Sequence, residues 1–135
     1  MIAAAQALSA VARVAAAQQE RGQPVAIAVC DDHGELLAFV RMDGASLQAG
    51  VLAQNKAYTA ARDRQPTADL GAWSRSSGRT LNYWTDPRIT GFGGGVPVRA
   101  DGTVAGAVGV SGLSEDDDAA VAQRVIDLLG SQEAV

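Results

Sequence analysis

The chain is poor in the residues that build stapled or metal-centred domains. It has a single cysteine, Cys30, among 135 residues, which excludes an internal disulfide framework and fits a reducing compartment. With only one histidine, His33, no His/Cys zinc site can be assembled within one subunit, and no metal is expected. Aromatic residues make up 4% and charged residues 19%, with a formal charge of −4. No basic cluster interleaved with aromatics occurs, so nucleic acid is not the expected partner. Met1-Ile2-Ala3-Ala4-Ala5 has no basic n-region, and Gln6 and Arg13 interrupt the apolar residues after it. Neither a signal peptide nor a membrane span is expected, and the cytoplasm is the expected location.

Hydrophobic residues make up 47% of the sequence, enough for the core of one domain spanning residues 1–135. Residues 3–20 are alanine-rich, and Leu8, Val11, Ala12 and Ala15 recur at helical spacing. Gly22 and Pro24 end that helix. Val25 to Cys30 reads as a buried strand, and the turn Asp31-Asp32-His33-Gly34 leads to a second strand over Glu35 to Met42. A helix then runs from Ser46 to Arg64, with Leu47, Val51, Leu52, Tyr58 and Ala61 as its apolar side and Lys56, Thr59 and Asp63 on another. Pro66 stops it. Thr67 to Leu70 caps and starts a short helix through Trp73, and 74–90 reads as a polar loop carrying Arg75, Arg79, Tyr83, Trp84, Asp86 and Arg88.

Two glycine-rich strands come next, Gly91 to Val98 and Val104 to Gly112, joined by a turn at Ala100-Asp101-Gly102. Strict alternation puts Val104, Val108 and Val110 on one face and Ala105, Ala107, Gly109 and Ser111 on the other. That second face is nearly bare, so either a helix or a ligand approaches it closely. Ser114-Glu115-Asp116-Asp117 forms a capping box for a last helix buried through Val121, Val125, Leu128 and Leu129. The order α-β-β-α-α-β-β-α, with hairpins between helices, predicts an α+β fold: an antiparallel sheet with helices packed on it.

Several chemical signatures are excluded by context. The glycines of 93–95 and 106–112 lie between strands rather than between a parallel strand and its helix, and no Walker lysine comes after them. Gly109-Val110-Ser111-Gly112-Leu113 lacks the closing glycine of a nucleophile elbow. The acidic run Glu115 to Asp118 is a solvated helix start, because successive helix residues point in different directions. Lys56 and Arg88 are surface ion pairs or, with the amides of Gly93, Gly94 and Gly95, a clamp for a carboxylate or phosphate.

Four blocks carry a family resemblance: Arg41-Met42-Asp43-Gly44-Ala45, Lys56-Ala57-Tyr58-Thr59-Ala60-Ala61, Gly94-Gly95-Val96-Pro97, and Gly106 to Gly112 with Asp118. In this order they resemble the GlcG/HbpS family, which includes the C-terminal domain of PduO-type cobalamin adenosyltransferases. The resemblance implies a profilin- or PAS-like α+β fold, assembly into tetramers or octamers, and haem binding or haem-linked redox sensing in some members. Leu113 stands where the family usually has a second glycine. Two function classes are implied. One is an oligomeric small-ligand-binding protein for haem or a related tetrapyrrole. Met42, Tyr58 or His33 then approaches the iron and Arg88 or Lys56 a propionate, with Thr59, Gly93, Gly94, Gly95 and Ser111 in the binding pocket; Cys30 and Tyr83 complete the possible axial ligands. The other is an enzyme on a small anionic or oxygenated metabolite, with Lys56 as acid/base, Arg88 as anion anchor, Asp43 or Asp86 as a second proton-transfer group, and the 93–95 amides stabilising developing charge.

Overall fold

The structure is a computed structural model that describes residues 1–133, with side chains described to Gly130. Its elements are α1 (Ala4–Glu20), β1 (Ala26–Asp31), β2 (Leu36–Arg41), α2 (Leu47–Asp63), α3 (Thr67–Ser77), a 3-10 turn (Leu81–Trp84), β3 (Gly95–Ala100), β4 (Thr103–Ser111) and α4 (Glu115–Glu133). This is the expected α+β order. The four strands form an antiparallel sheet in the order β2-β1-β4-β3, so the two hairpins meet through β1 and β4.

Strand alternation gives the sheet two unlike faces. Ile27, Val29, Val108 and Val110 pack against Val11 and Val14 of α1 and Val121, Val125 and Leu129 of α4. On the opposite face Ala26, Ala28, Cys30 and Ala107 meet Ala49, Ala53, Ala57 and Ala60 of α2. Helix α2 therefore fills the bare face of β4. A Cβ on Gly109 would lie 2.1 Å from the Ala53 carbonyl oxygen, and one on Gly95 would lie 2.4 Å from that of Lys56. Small residues on both sides let the helix backbone approach the sheet.

That close approach corrects part of the expected facing of α2: of the expected apolar side Tyr58 and Ala61 are buried, but Leu47 and Val51 are not. Its buried residues are Ala49, Gly50, Ala53, Lys56, Ala57, Tyr58, Thr59, Ala60 and Ala61, while Leu47 is 78% exposed and Val51 48%. Larger side chains would hold the helix off an Ala/Gly surface, so the aliphatic residues turn outward and the lysine and threonine turn in. In α1 the expected apolar Leu8 is likewise exposed, and Ala7, Ala10, Val11, Val14 and Gln18 are buried. Along β4 the alternation breaks opposite the Val98/Arg99 step, where Val98 pairs with Gly106 but Arg99 with Val104. This one-residue bulge moves Val104 off the valine face and sets Ala105 against the α1/α4 core.

Two boundaries also shift. Helix α3 runs past Trp73 to Ser77, where Gly78 at φ 72° ends it, and its N-cap is Pro66 rather than Thr67. Residues 91–94 are not strand; β3 begins at Gly95, after Gly94 turns the chain at φ +125°. The β3–β4 turn falls where expected, with positive φ at Asp101 and Gly102. Among the described residues no helix is long and apolar enough to cross a membrane.

Candidate functional site

Lys56 points from α2 into the sheet-side interior, where its side chain and that of Asp118 are each 3% exposed. Its Nζ donates to the Val110 carbonyl at 2.9 Å and to Asp118 Oδ2 at 3.1 Å. Asp118 Oδ1 accepts from the Leu113 amide at 2.9 Å. Burial holds the Asp118 carboxyl above its ordinary pKa, against the downward pull of the Leu113 amide and the Lys56 charge. Gly94 leaves room for the ammonium: a Cβ there would lie 2.9 Å from Nζ and 2.6 Å from the Val110 oxygen. The pair ties α2, β4 and α4 together, so of the acidic run expected as a solvated helix start Glu115 to Asp117 are exposed but Asp118 is buried.

The glycine segment is tied down as well. The Gly93 amide donates to Glu115 Oε1 at 2.5 Å and the Gly95 amide to Thr67 Oγ1 at 2.9 Å. Thr59 Oγ1 accepts from the Thr90 amide at 3.1 Å and donates to the Arg88 carbonyl at 3.3 Å, fastening the 88–90 loop to α2. Ser111, at the end of β4, is buried.

Two residues beyond Lys56, about 200° further round a helix of 3.6 residues per turn, Tyr58 builds a different arrangement. Its hydroxyl donates to Asp86 Oδ2 and accepts from Arg88 Nη2 at 2.6 Å. The Arg88 guanidinium carbon stands 3.8 Å from the ring centroid and that of Arg62 5.0 Å. Asp86 Oδ1 accepts from the Arg88 amide at 3.0 Å and from Nε at 3.4 Å. Burial first, then the Asp86 hydrogen bond, raise the Tyr58 pKa, and that same hydrogen bond leads in lowering the Asp86 pKa. Arg62 Nη1 reaches the His33 carbonyl at 3.2 Å, bringing the 31–35 turn and its exposed imidazole to this side.

The structure thus brings together Tyr58, Asp86 and Arg88, with His33 beside them, and seals Lys56 elsewhere. Met42 and Asp43 lie beyond the far end of β2, where a groove borders Ala12, Ala16 and Gln19 of α1. Met42 Sδ is buried and accepts from the Val25 amide at 3.5 Å. The Cys30 thiol is buried against the Ala57 carbonyl and pushed up to about 12 by burial, so it stays protonated at neutral pH. Tyr83 is 72% exposed on the 3-10 turn. Among the described residues no three His, Cys, Asp or Glu side chains are grouped to hold a metal ion. Sequence patterns do not single out Arg62 and Glu35 as site residues. Arg62 falls four positions after Tyr58, however, the spacing that stacks side chains on one helix face.

A family model described as "Haem degrading protein HbpS-like" matches residues 2–127. The chain belongs to the HbpS-like family. This HbpS-like protein is 45% identical to protein GlcG of Escherichia coli K12 over 102 residues, which is 73% of the chain and 75% of GlcG. A crystal structure of a Streptomyces reticuli HbpS variant superposes with a TM-score of 0.85 at 30% identity, over 96% of this chain and 87% of that one. A PduOC–haem complex superposes with a TM-score of 0.79 at 30% identity, over 89% of each chain. The α+β architecture of this HbpS-like chain is therefore that of its family.

Proposed function

We propose that this protein is an oligomeric, haem-related ligand-binding protein that holds a tetrapyrrole on the outer side of α2, beside the 31–35 turn. The observation that carries this reading is the Arg62 bridge. It joins the His33 backbone to the Tyr58 ring and so gathers an exposed imidazole, two guanidinium groups and the half-exposed Leu36 on one side of the molecule. A haem needs an axial ligand, an apolar surface and cations for its carboxylates. His33 supplies the nitrogen, Leu36 the apolar surface, and Arg62 and Arg88 the cations. When bound, haem supplies iron-centred redox and ligand-exchange chemistry; the protein residues hold and orient it. Of the other axial candidates, Met42 Sδ accepts a backbone amide, the Tyr58 hydroxyl is held by Asp86 and Arg88, and the Cys30 thiol is buried, while Tyr83 is exposed on the 3-10 turn. The acid/base enzyme reading loses its proposed base, because the Lys56 ammonium is sealed against Asp118.

Haemin titration followed by the Soret band tests the reading. The wild type is expected to bind saturably. His33→Ala should shift the Soret maximum, and Arg88→Ala should weaken affinity roughly tenfold to a hundredfold, the loss of one charge-assisted hydrogen bond. No Soret change in the wild type would overturn haem binding; identical spectra for wild type and His33→Ala would move the iron ligand elsewhere. Exposed Leu47 and Val51 support assembly into a tetramer or octamer. Light scattering should then give a mass well above the 13.8 kDa of one chain, and a monomer would refute assembly.

A further inference from the structure

Between the start of β2 and the outer side of α2 lies a cavity of about 170 Å³. That is room for a few waters or a small molecule, and far too small for a tetrapyrrole. Its walls carry opposite charges. Arg88 and Tyr58 line one part, Glu35 another, the amides of Gln54 and Asn55 border it, and Cys30 and Ala57 are apolar lining. Among the described residues Glu35 makes no side-chain hydrogen bond or ion pair, and neither does the half-buried Asn55 amide. Glu35 and Arg88 therefore face one compartment without neutralising each other, although Arg88 has found a carboxylate in Asp86.

A cation-lined and an anion-lined wall around so small a volume match a molecule that carries both charges. We propose that this cavity is a binding site for a small zwitterion, an amino-carboxylate. Its carboxylate lies on Arg88, in place of or beside Asp86, its ammonium on Glu35, and the Asn55 amide hydrogen-bonds one of the two. Two opposite charges on one small compartment select a ligand that meets both, because an analogue lacking one charge forms only one of the two charge-assisted contacts. The small volume favours a short chain between the two charges. The site does not depend on haem.

Calorimetric titration of the haem-free protein with four three-carbon probes tests this. β-Alanine carries both charges, propionate and propylamine one each, and propionamide none. β-Alanine is expected to bind at least tenfold more tightly than either singly charged probe, with propionamide undetectable. Glu35→Gln should reduce β-alanine to the affinity of propionate, and Arg88→Ala should reduce it to that of propylamine. Glu35 is exposed and has no side-chain partner, so its variant should melt like the wild type; Arg88→Ala is compared after its melting temperature is matched. Saturable β-alanine binding with the expected order supports the site, whatever the haemin titration shows. No heat from β-alanine up to 10 mM, equal affinities for the four probes, or an unchanged β-alanine affinity in Glu35→Gln would overturn it. A protein that binds haemin but fails these titrations would refute this cavity alone.

Discussion

Lys56 and Tyr58 stand two residues apart on one helix yet anchor opposite kinds of polar structure. Lys56 lies in the closest contact between α2 and the sheet, sealed with Asp118 and a backbone carbonyl. Tyr58 lies on the far side of the same helix, and the arginine stacked on it keeps more than half of its side chain in solvent. The inner pair is a structural tie whose worth is measured in stability. The outer cluster keeps a charged group in solvent, and under the proposed function its worth is measured in binding. Cationic side chains alone do not distinguish the two; the depth and number of their partners do.

Removing one member of the inner pair should have the largest effect. Lys56→Met leaves Asp118 buried without its counter-charge and is expected to cost about 3–5 kcal/mol in denaturant unfolding. The double variant Lys56→Met/Asp118→Asn should recover part of that loss, since the asparagine oxygen can still accept from the Leu113 amide. A single-variant loss below about 1 kcal/mol would place the inner pair in the same class as an exposed one. Next in size is Gly109→Ala, whose Cβ would meet the Ala53 carbonyl at 2.1 Å and force α2 off the sheet. About 1–3 kcal/mol or more should be lost. Gly130→Ala, with nothing within 4 Å of the added carbon, should instead gain about 0.5–1 kcal/mol of helix stability. Equal effects at the two glycines would show that helix–sheet contact is looser than the structure has it.

The outer cluster should respond weakly in stability. Arg88→Ala is expected to shift unfolding by less than about 1 kcal/mol while changing ligand affinity, which separates it from Lys56→Met. The smallest effect concerns pH. Asp86 is held below its ordinary value of 3.8, first by the Tyr58 hydroxyl. Its folded-state pKa lies below its unfolded one, so its contribution is present above pH 3.8 and is lost as pH falls through the lowered value. The melting temperatures of wild type and Asp86→Asn should therefore converge as pH drops from 5 towards 2. A difference that stayed constant across that range would mean that the carboxylate contributes no charge-dependent stability.

Much of the fold is legible in the sequence because local chemistry marks it. Gly22 and Pro24, Asp31 to Gly34, Pro66 and Asp101-Gly102 punctuate the chain where backbone conformation demands it, and the observed element order obeys those marks. The facing of α2 is not legible this way. Its leucine and valine form a plausible apolar stripe, and only the Ala/Gly surface of β1 and β4 makes the alanine stripe the one that packs. The β4 bulge is hidden for a similar reason, since a single extra residue leaves no mark in a run of small apolar residues. Of the candidate site, Tyr58, Asp86 and Arg88 are recognisable as residue types that bind anions or move protons. That Arg62 and Glu35 belong beside them depends on where the first hairpin turn lands.

What the sequence determined by itself was the set of elements, their order, and the small-residue face that calls for close packing. These arise from the φ/ψ limits of each residue and from side-chain periodicity, both local properties. The tertiary structure alone decided which cation is sealed and which stays open. Lys56 meets Asp118 across 62 positions and Tyr58 meets Asp86 across 28, and burial and ion pairing arise only when chain segments so far apart are brought into contact.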